Sequence, residues 1–179
     1  MTDQSIFDLP SPFIVEWATI LSSELPRPGR ALDVAMGRGR HAQALAALGF
    51  RTFGVDLHFD AVLNATRQAA RQGLVVRGWC ADLTMSSLPP GRFELVVVAR
   101  YLQRDLFDRL REAVVPGGVV IYETFTVRQR TLGVGPRSPH HLLEPGELNA
   151  RFDGFDILFC EEVAAPEAVA RLVARKPRT

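Results

Sequence analysis

Three aspartates stand at or just past the ends of short apolar runs: Asp33 in Ala31-Leu32-Asp33-Val34-Ala35, Asp56 in Gly54-Val55-Asp56-Leu57, and Asp82 in Cys80-Ala81-Asp82-Leu83. Between the first two lies Gly37-Arg38-Gly39-Arg40-His41-Ala42. A turn built on Gly37 and Gly39 lets a ligand approach the backbone, and the free N–H groups of a helix that follows it attract an anionic group. Two glycines in a turn also serve many α/β domains merely as a tight connection. The three acids together make the turn a candidate site. Asp56 suits the hydroxyls of a ribose, Asp82 an exocyclic amine, and Asp33 a positively charged amino group.

The acids need elements that bring them together. Apolar runs at Ala31 to Ala35, Thr52 to Asp56, Leu74 to Cys80, Phe93 to Ala99 and Gly118 to Phe125 read as strands. Helical stripes fill several of the gaps. Ala42, Leu45, Ala46 and Leu48 precede Gly49; Ala61, Val62, Ala65 and Ala69 precede Gly73; Leu106, Phe107, Leu110 and Val114 precede Pro116-Gly117-Gly118, which is expected to end that helix. Such alternation makes parallel βαβ units with helices on both faces, a doubly wound α/β sheet. Ligands of such sheets bind where the carboxyl ends of neighbouring strands form a crevice, which is where the three acids fall. Ile14, Trp17, Ala18 and Leu21 predict an N-terminal helix over about 11–24, and Pro145 is expected at the first turn of another. Phe155 to Val163 and Ala168 to Ala174, joined by only Ala164 to Glu167, should pair antiparallel and complete a seven-stranded, mostly parallel sheet in a single domain spanning 1–179.

Gly37-Arg38-Gly39-Arg40-His41-Ala42 also satisfies G-x-G-x-x-G/A with an acid about twenty residues on, as a nicotinamide site requires. Asp33 discriminates. A carboxylate beneath the turn repels a pyrophosphate but attracts the ammonium of a methionine moiety, whose carboxylate could meet the helix N-terminus or Arg40. That combination points to S-adenosylmethionine.

The string from Asp33 to Gly39, Asp56, Ala81-Asp82-Leu83, Pro116-Gly117-Gly118 and the antiparallel final strands together resemble class I S-adenosylmethionine-dependent methyltransferases over nearly the whole chain. Ser11-Pro12-Phe13 before Trp17, Tyr122-Glu123-Thr124-Phe125 and Leu142-Leu143-Glu144-Pro145-Gly146-Glu147-Leu148 are similar to a bacterial group related to tellurite-resistance methyltransferases. The resemblance implies a Rossmann-like fold in which Asp33, Ala35, Gly37, Gly39 and Arg40 hold the methionine portion. Ala35 stands where many members have glycine. By the same resemblance Asp56 holds the ribose, Leu57 lies against the adenine, Asp82 and Leu83 bind its edge, and Ala99 with Arg100 and Tyr101 borders the methyl group. S-adenosylhomocysteine would be the product.

A sulfonium is already a good leaving group, so alignment and desolvation carry most of the catalysis and a base is optional. The candidates for base or acceptor guide are Tyr101, Tyr122, Glu123, His140 and His141. Each has a plainer role open to it: sheet core for Tyr122, a solvated loop for the histidines. The stretch 124–141 carries Arg128, Arg130 and Arg137 and reads as a lid that would favour an anionic acceptor, or as a solvated loop.

The 179 residues carry 21 basic and 20 acidic side chains, a net charge of +1 that argues against a nucleic-acid partner. No apolar run approaches a membrane span, Met1 to Asp8 lacks the character of an export signal, and Cys80 and Cys160 form no metal or disulfide pattern. Both cysteines are expected in the core. The expectation is a cytoplasmic enzyme, monomer or weak dimer, acting on a small molecule without a metal. A non-catalytic nucleoside-binding domain and an NAD-dependent oxidoreductase of similar fold are the alternatives.

Overall fold

The computed structural model describes residues 9–25 and 28–178. Met1 to Asp8, whose polarity carries the expectation about export, lie outside the described residues. The elements run α1 (Pro12–Glu24), β1 (Arg30–Val34), α2 (Arg40–Ala47), β2 (Arg51–Asp56), α3 (Phe59–Arg71), β3 (Val76–Cys80), β4 (Phe93–Ala99), α4 (Phe107–Ala113), β5 (Val114–Phe125), α5 (Glu147–Ala150), β6 (Asp156–Val163) and β7 (Val169–Arg175). None of the described helices is long and apolar enough to cross a membrane.

The seven strands form one sheet in the order β3-β2-β1-β4-β5-β7-β6. The first five are parallel, and β7 runs antiparallel to both β5 and β6. This is the doubly wound sheet the sequence predicts. Its centre is buried on both faces, which is why β4 reads as a nearly unbroken valine run rather than an alternating one. Ala31, Leu95, Val97 and Ile121 face α1 and α2, while Leu32, Val34, Val96 and Tyr122 face α4 and α5.

Two boundaries differ from expectation. Helix α4 stops at Ala113, three residues before Pro116, and β5 starts at Val114 rather than Gly118, so that Pro116-Gly117-Gly118 lies inside the strand. Lys176 caps the helix end, its ammonium donating to the carbonyls of Arg111 and Val114. Gly117, at φ +78°, makes the irregular step, and its N–H donates to the Lys176 carbonyl across the sheet. Pro145 precedes α5 instead of opening it. Gly146 in the left-handed region is the residue before the first turn, with its N–H on Glu162. The two cysteines are exposed, not core, since each sits on an edge strand.

Met36 locks the turn after β1 onto the sheet. Its N–H donates to the Val55 carbonyl, and its thioether lies across Gly54 and Gly78, which share one face of β2 and β3. A Cβ on Gly54 would stand 2.0 Å from the Met36 sulfur. Gly54→Ala is therefore expected to destabilise the protein by about 1–3 kcal/mol through overpacking. Urea unfolding measures this, and an unchanged midpoint would mean that Met36 does not hold the turn.

Candidate functional site

Residues just past the carboxyl ends of β1, β2, β3 and β4 line two adjoining cavities. One, of about 190 Å³, is bounded by Ala35, Met36, Gly37, Arg38, Arg40, His41 and Ala99. The other, of about 330 Å³, is bounded by residues that include Asp56, Leu57, His58, Asp82, Leu83 and Tyr101. Ala35 and Ala99 line both. The sheet order makes this convergence, because β1 stands between β2 and β4.

Asp33 lies buried beneath the turn. Its side chain is 1% exposed and lines neither cavity; Oδ2 accepts the N–H of Ala42, 2.9 Å away, in the first turn of α2. Gly39, which precedes that helix, has no side chain to cap it, so the carboxylate from β1 takes the capping role. Burial pushes the Asp33 carboxyl up to about 7, opposed by the Ala42 hydrogen bond and the nearby Arg40 charge and reinforced by Asp56.

Asp56 binds the turn directly. Oδ2 accepts the Gly37 N–H at 2.8 Å, and Oδ1 accepts the His58 N–H at 2.9 Å. Gly37 itself has φ +51°, and a Cβ built on it would meet nothing within 4 Å. The turn therefore leaves open space at a position where backbone conformation already selects glycine. Ala35 also lies at positive φ, +54°, so the residue standing where many resembling proteins have glycine carries a strained backbone. Asp82 is exposed and accepts from both the N–H and the hydroxyl of Thr84, which hold its carboxyl below the usual carboxylate range.

The five candidates for base or guide do not converge. Tyr101 lines the larger cavity, with its hydroxyl donating to Gln103, whose amide in turn donates to the Leu83 carbonyl. Burial, then Asp105, Asp82 and Asp56, push the Tyr101 phenol up, which keeps it a donor. Tyr122 is core: its ring stacks on Phe107, its hydroxyl donates to the Tyr101 carbonyl, and burial raises its pKa strongly. Glu123 is buried but paired with Arg171, Nε to Oε2 at 2.7 Å. His140 and His141 are exposed and line neither cavity.

The segment 124–141 is fastened down. Buried Gln129 donates to the Val134 carbonyl and accepts the Ala168 N–H, while the Val127 N–H donates to the Leu143 carbonyl and the Leu143 N–H to the Phe125 carbonyl. Arg128, Arg130 and Arg137 are exposed and line neither cavity.

Sequence reasoning did not single out His41 and His58 as site residues, whereas Arg100, expected at the methyl group's border, does line the larger cavity. His41 is buried in the smaller cavity wall, accepts the Ser11 N–H, and is pushed down to about 3 by burial and by Arg40 and Arg100. Its place inside the glycine motif was the available signal. His58 stands two residues past Asp56 and shares its carboxylate. Arg100, at φ +55°, follows β4 and clamps Glu167 of the β6–β7 turn through two hydrogen bonds of 2.9 and 2.6 Å.

A family model described as a methyltransferase domain matches residues 31–118, a span that contains all three acids. Ribosomal protein L11 methyltransferase of Thermus thermophilus is 39% identical over 95 residues, covering 51% of this chain and 37% of that protein. The chain thus spans well under half the length of that relative. An S-adenosylmethionine-dependent methyltransferase from Mesorhizobium loti, 24% identical, superposes with a TM-score of 0.67 over 90% of this chain and 98% of that one. TehB from Haemophilus influenzae, 17% identical, does so with a TM-score of 0.71 over 93% and 62%. Both are likenesses of fold. The matched region is thus similar to a methyltransferase domain, and the sheet has the fold of the S-adenosylmethionine-dependent methyltransferases on which it superposes.

The raised Asp33 carboxyl has a measurable consequence. Between about pH 4 and pH 7 the native protein keeps a proton there that the unfolded chain has lost, so this group's contribution to stability falls as pH rises through that window. Asp33→Asn retains an acceptor for Ala42 and removes the titration. The variant should gain on the order of 2 kcal/mol relative to wild type on going from pH 5 to pH 8. Urea midpoints at both pH values check this, and parallel pH profiles would refute it.

Proposed function

We propose that the protein transfers a methyl group from S-adenosylmethionine to a small acceptor. The observation that carries the reading is the pair of cavities meeting at Ala35 and Ala99, one walled by Gly37 and Arg40, the other by Asp56, Leu57, Asp82 and Leu83. The residues present suit this cofactor. Gly37 leaves open space beside the turn, Arg40 offers a cation for an amino-acid carboxylate, and exposed Leu57 offers an apolar surface for a base. Asp56 and Asp82 offer acceptors for hydroxyl and amino groups. Asp33 already occupies the positive end of α2, which disfavours a pyrophosphate there and with it the nicotinamide alternative.

When bound, S-adenosylmethionine supplies an electrophilic methyl group on a sulfonium. The chain's own contribution is orientation and exclusion of water. Two methyl side chains, Ala35 and Ala99, border the junction of the cavities and leave it uncluttered. Tyr101 beside it is a hydrogen-bond donor, Glu123 is committed to Arg171, and both loop histidines stand outside the cavities. None of these candidates is a base at the junction, which favours an acceptor that is nucleophilic in its own right, such as a neutral amine or a thiolate. Arg128, Arg130 and Arg137 line neither cavity, so we assign acceptor selection to Arg100, Tyr101 and Arg40 rather than to the loop arginines.

Isothermal titration tests the reading. S-adenosylmethionine and S-adenosylhomocysteine should bind with micromolar affinity and NADH should not. Asp56→Ala should weaken both at least about 100-fold, roughly 2.7 kcal/mol, in a protein whose circular dichroism is unchanged. Wild-type affinity in the folded variant, or binding of NADH alone, would overturn the proposal. Transfer of the methyl group is then followed by release of S-adenosylhomocysteine in a screen of amines and thiols.

A further inference from the structure

The connection from β3 to β4, residues 81–92, contains no helix. The face of β2 and β3 turned toward α4 and α5 is consequently left half-open, and Phe53 and Trp79 lie on it partly exposed. Phe53 packs edge-on against Phe93 at 5.8 Å. A cavity of about 420 Å³ opens over these rings, with Arg30, Arg51 and Arg92 among its walls. The guanidiniums of Arg51 and Arg77 each lie 5.9 Å from the centre of the Phe53 ring.

Two cations drawn to one ring repel each other, and an anion placed between them relieves that repulsion. Glu94 neutralises Arg30, with Nη2 to Oε1 at 2.8 Å. Among the described residues, Arg51, Arg77 and Arg92 form no salt bridge with a carboxylate. The shelf therefore combines an aromatic floor with an uncompensated cationic rim. A purely apolar ligand would leave the rim unused, and a bare inorganic anion would leave the floor unused. A planar base carrying phosphate uses both, and the volume suits one nucleotide.

The shelf is not the methyl-donor site. Arg30, Arg51 and Phe93 open β1, β2 and β4, whereas Asp56 and Asp82 stand at or past the carboxyl ends of β2 and β3. We propose that this arginine-rimmed shelf is a second ligand site, for a free nucleotide whose base lies over Phe53 and Trp79 and whose phosphates pair with Arg51, Arg77 and Arg92.

Calorimetric titration with guanosine triphosphate tests the proposal independently of methyl-donor binding. Wild type and Asp56→Ala should bind it alike, with affinity falling as sodium chloride rises from about 50 to about 200 mM. The double variant Arg51→Gln/Arg77→Gln should lose at least tenfold, and Arg92→Gln should lose a smaller factor. Both alter exposed side chains and should fold normally. Trp79→Phe should abolish the ligand-dependent change in tryptophan fluorescence. Absence of binding by wild type, or loss in Asp56→Ala with retention in the double variant, would overturn the site. Equal affinity for inorganic tripolyphosphate would remove the base from it, and a tenfold preference for single-stranded RNA or for an acidic peptide would replace the free nucleotide.

Discussion

A single carboxylate, buried under the turn between β1 and α2, organises the site. Asp33 cannot reach solvent, and its hydrogen bond to the Ala42 N–H ties the end of β1 to the start of α2. A charge in such surroundings is unfavourable unless the helix end and nearby cations offset it. Arg40 lies close enough to act on it. Around that tie the smaller cavity is shaped by the positive φ of Ala35, Gly37 and Gly39, the seat of Met36 across two glycines, and the Gly37 N–H on Asp56. Gly39 has a further constraint, since a Cβ there would lie 2.6 Å from the Cβ of Ala65 on α3. Helix packing and site geometry thus share one residue.

The antiparallel end of the sheet supports the same region from the other side. Arg171 of β7 joins Glu123 and Glu161 and lies over the Phe13 ring, so α1, β5, β6 and β7 meet at one guanidinium. Arg100, strained at positive φ and stacked on Phe125, carries the β6–β7 turn to the mouth of the larger cavity through Glu167. Strain of this kind persists where surrounding contacts over-determine the backbone, and here a bidentate ion pair supplies that determination. The turn between the outer strands therefore reaches the larger cavity, although β7 and β6 are the third and fourth strands from β1.

Strands and their order of appearance were legible in the sequence because two-sided burial writes itself as valine-rich runs. The placement of Asp56 and Asp82 at the carboxyl ends was legible for the same reason. What was not legible depended on contacts between distant segments. Pro116 reads as a helix stop, but the capping of that helix end by Lys176, from the far end of the sequence, is not legible beside it. The hydrogen bond from the Ala42 N–H to Asp33, nine residues apart, is likewise not written in any local pattern. Arg100 and Glu167 are 67 residues apart, and Ser11 and His41 are 30 apart; neither pair has a local pattern. The cationic shelf was hidden because Arg30, Arg51, Arg77 and Arg92 are scattered through a chain whose net charge is +1.

The strand order also dictates when the molecule can be completed. β5 is the longest strand, twelve residues, and β7 lies between it and β6. β6 joins the sheet only through Val169–Arg175, so the β6–β7 hairpin must add to the free edge of β5. Until then Ile121, Tyr122 and their neighbours present an unpaired, apolar strand edge, the kind of surface that recruits other chains. Pairing β7 with β5 joins segments distant in sequence, which is slow relative to local helix formation. β7 is thus the keystone of assembly, and the interval before it arrives is when a newly made chain is most exposed to aggregation.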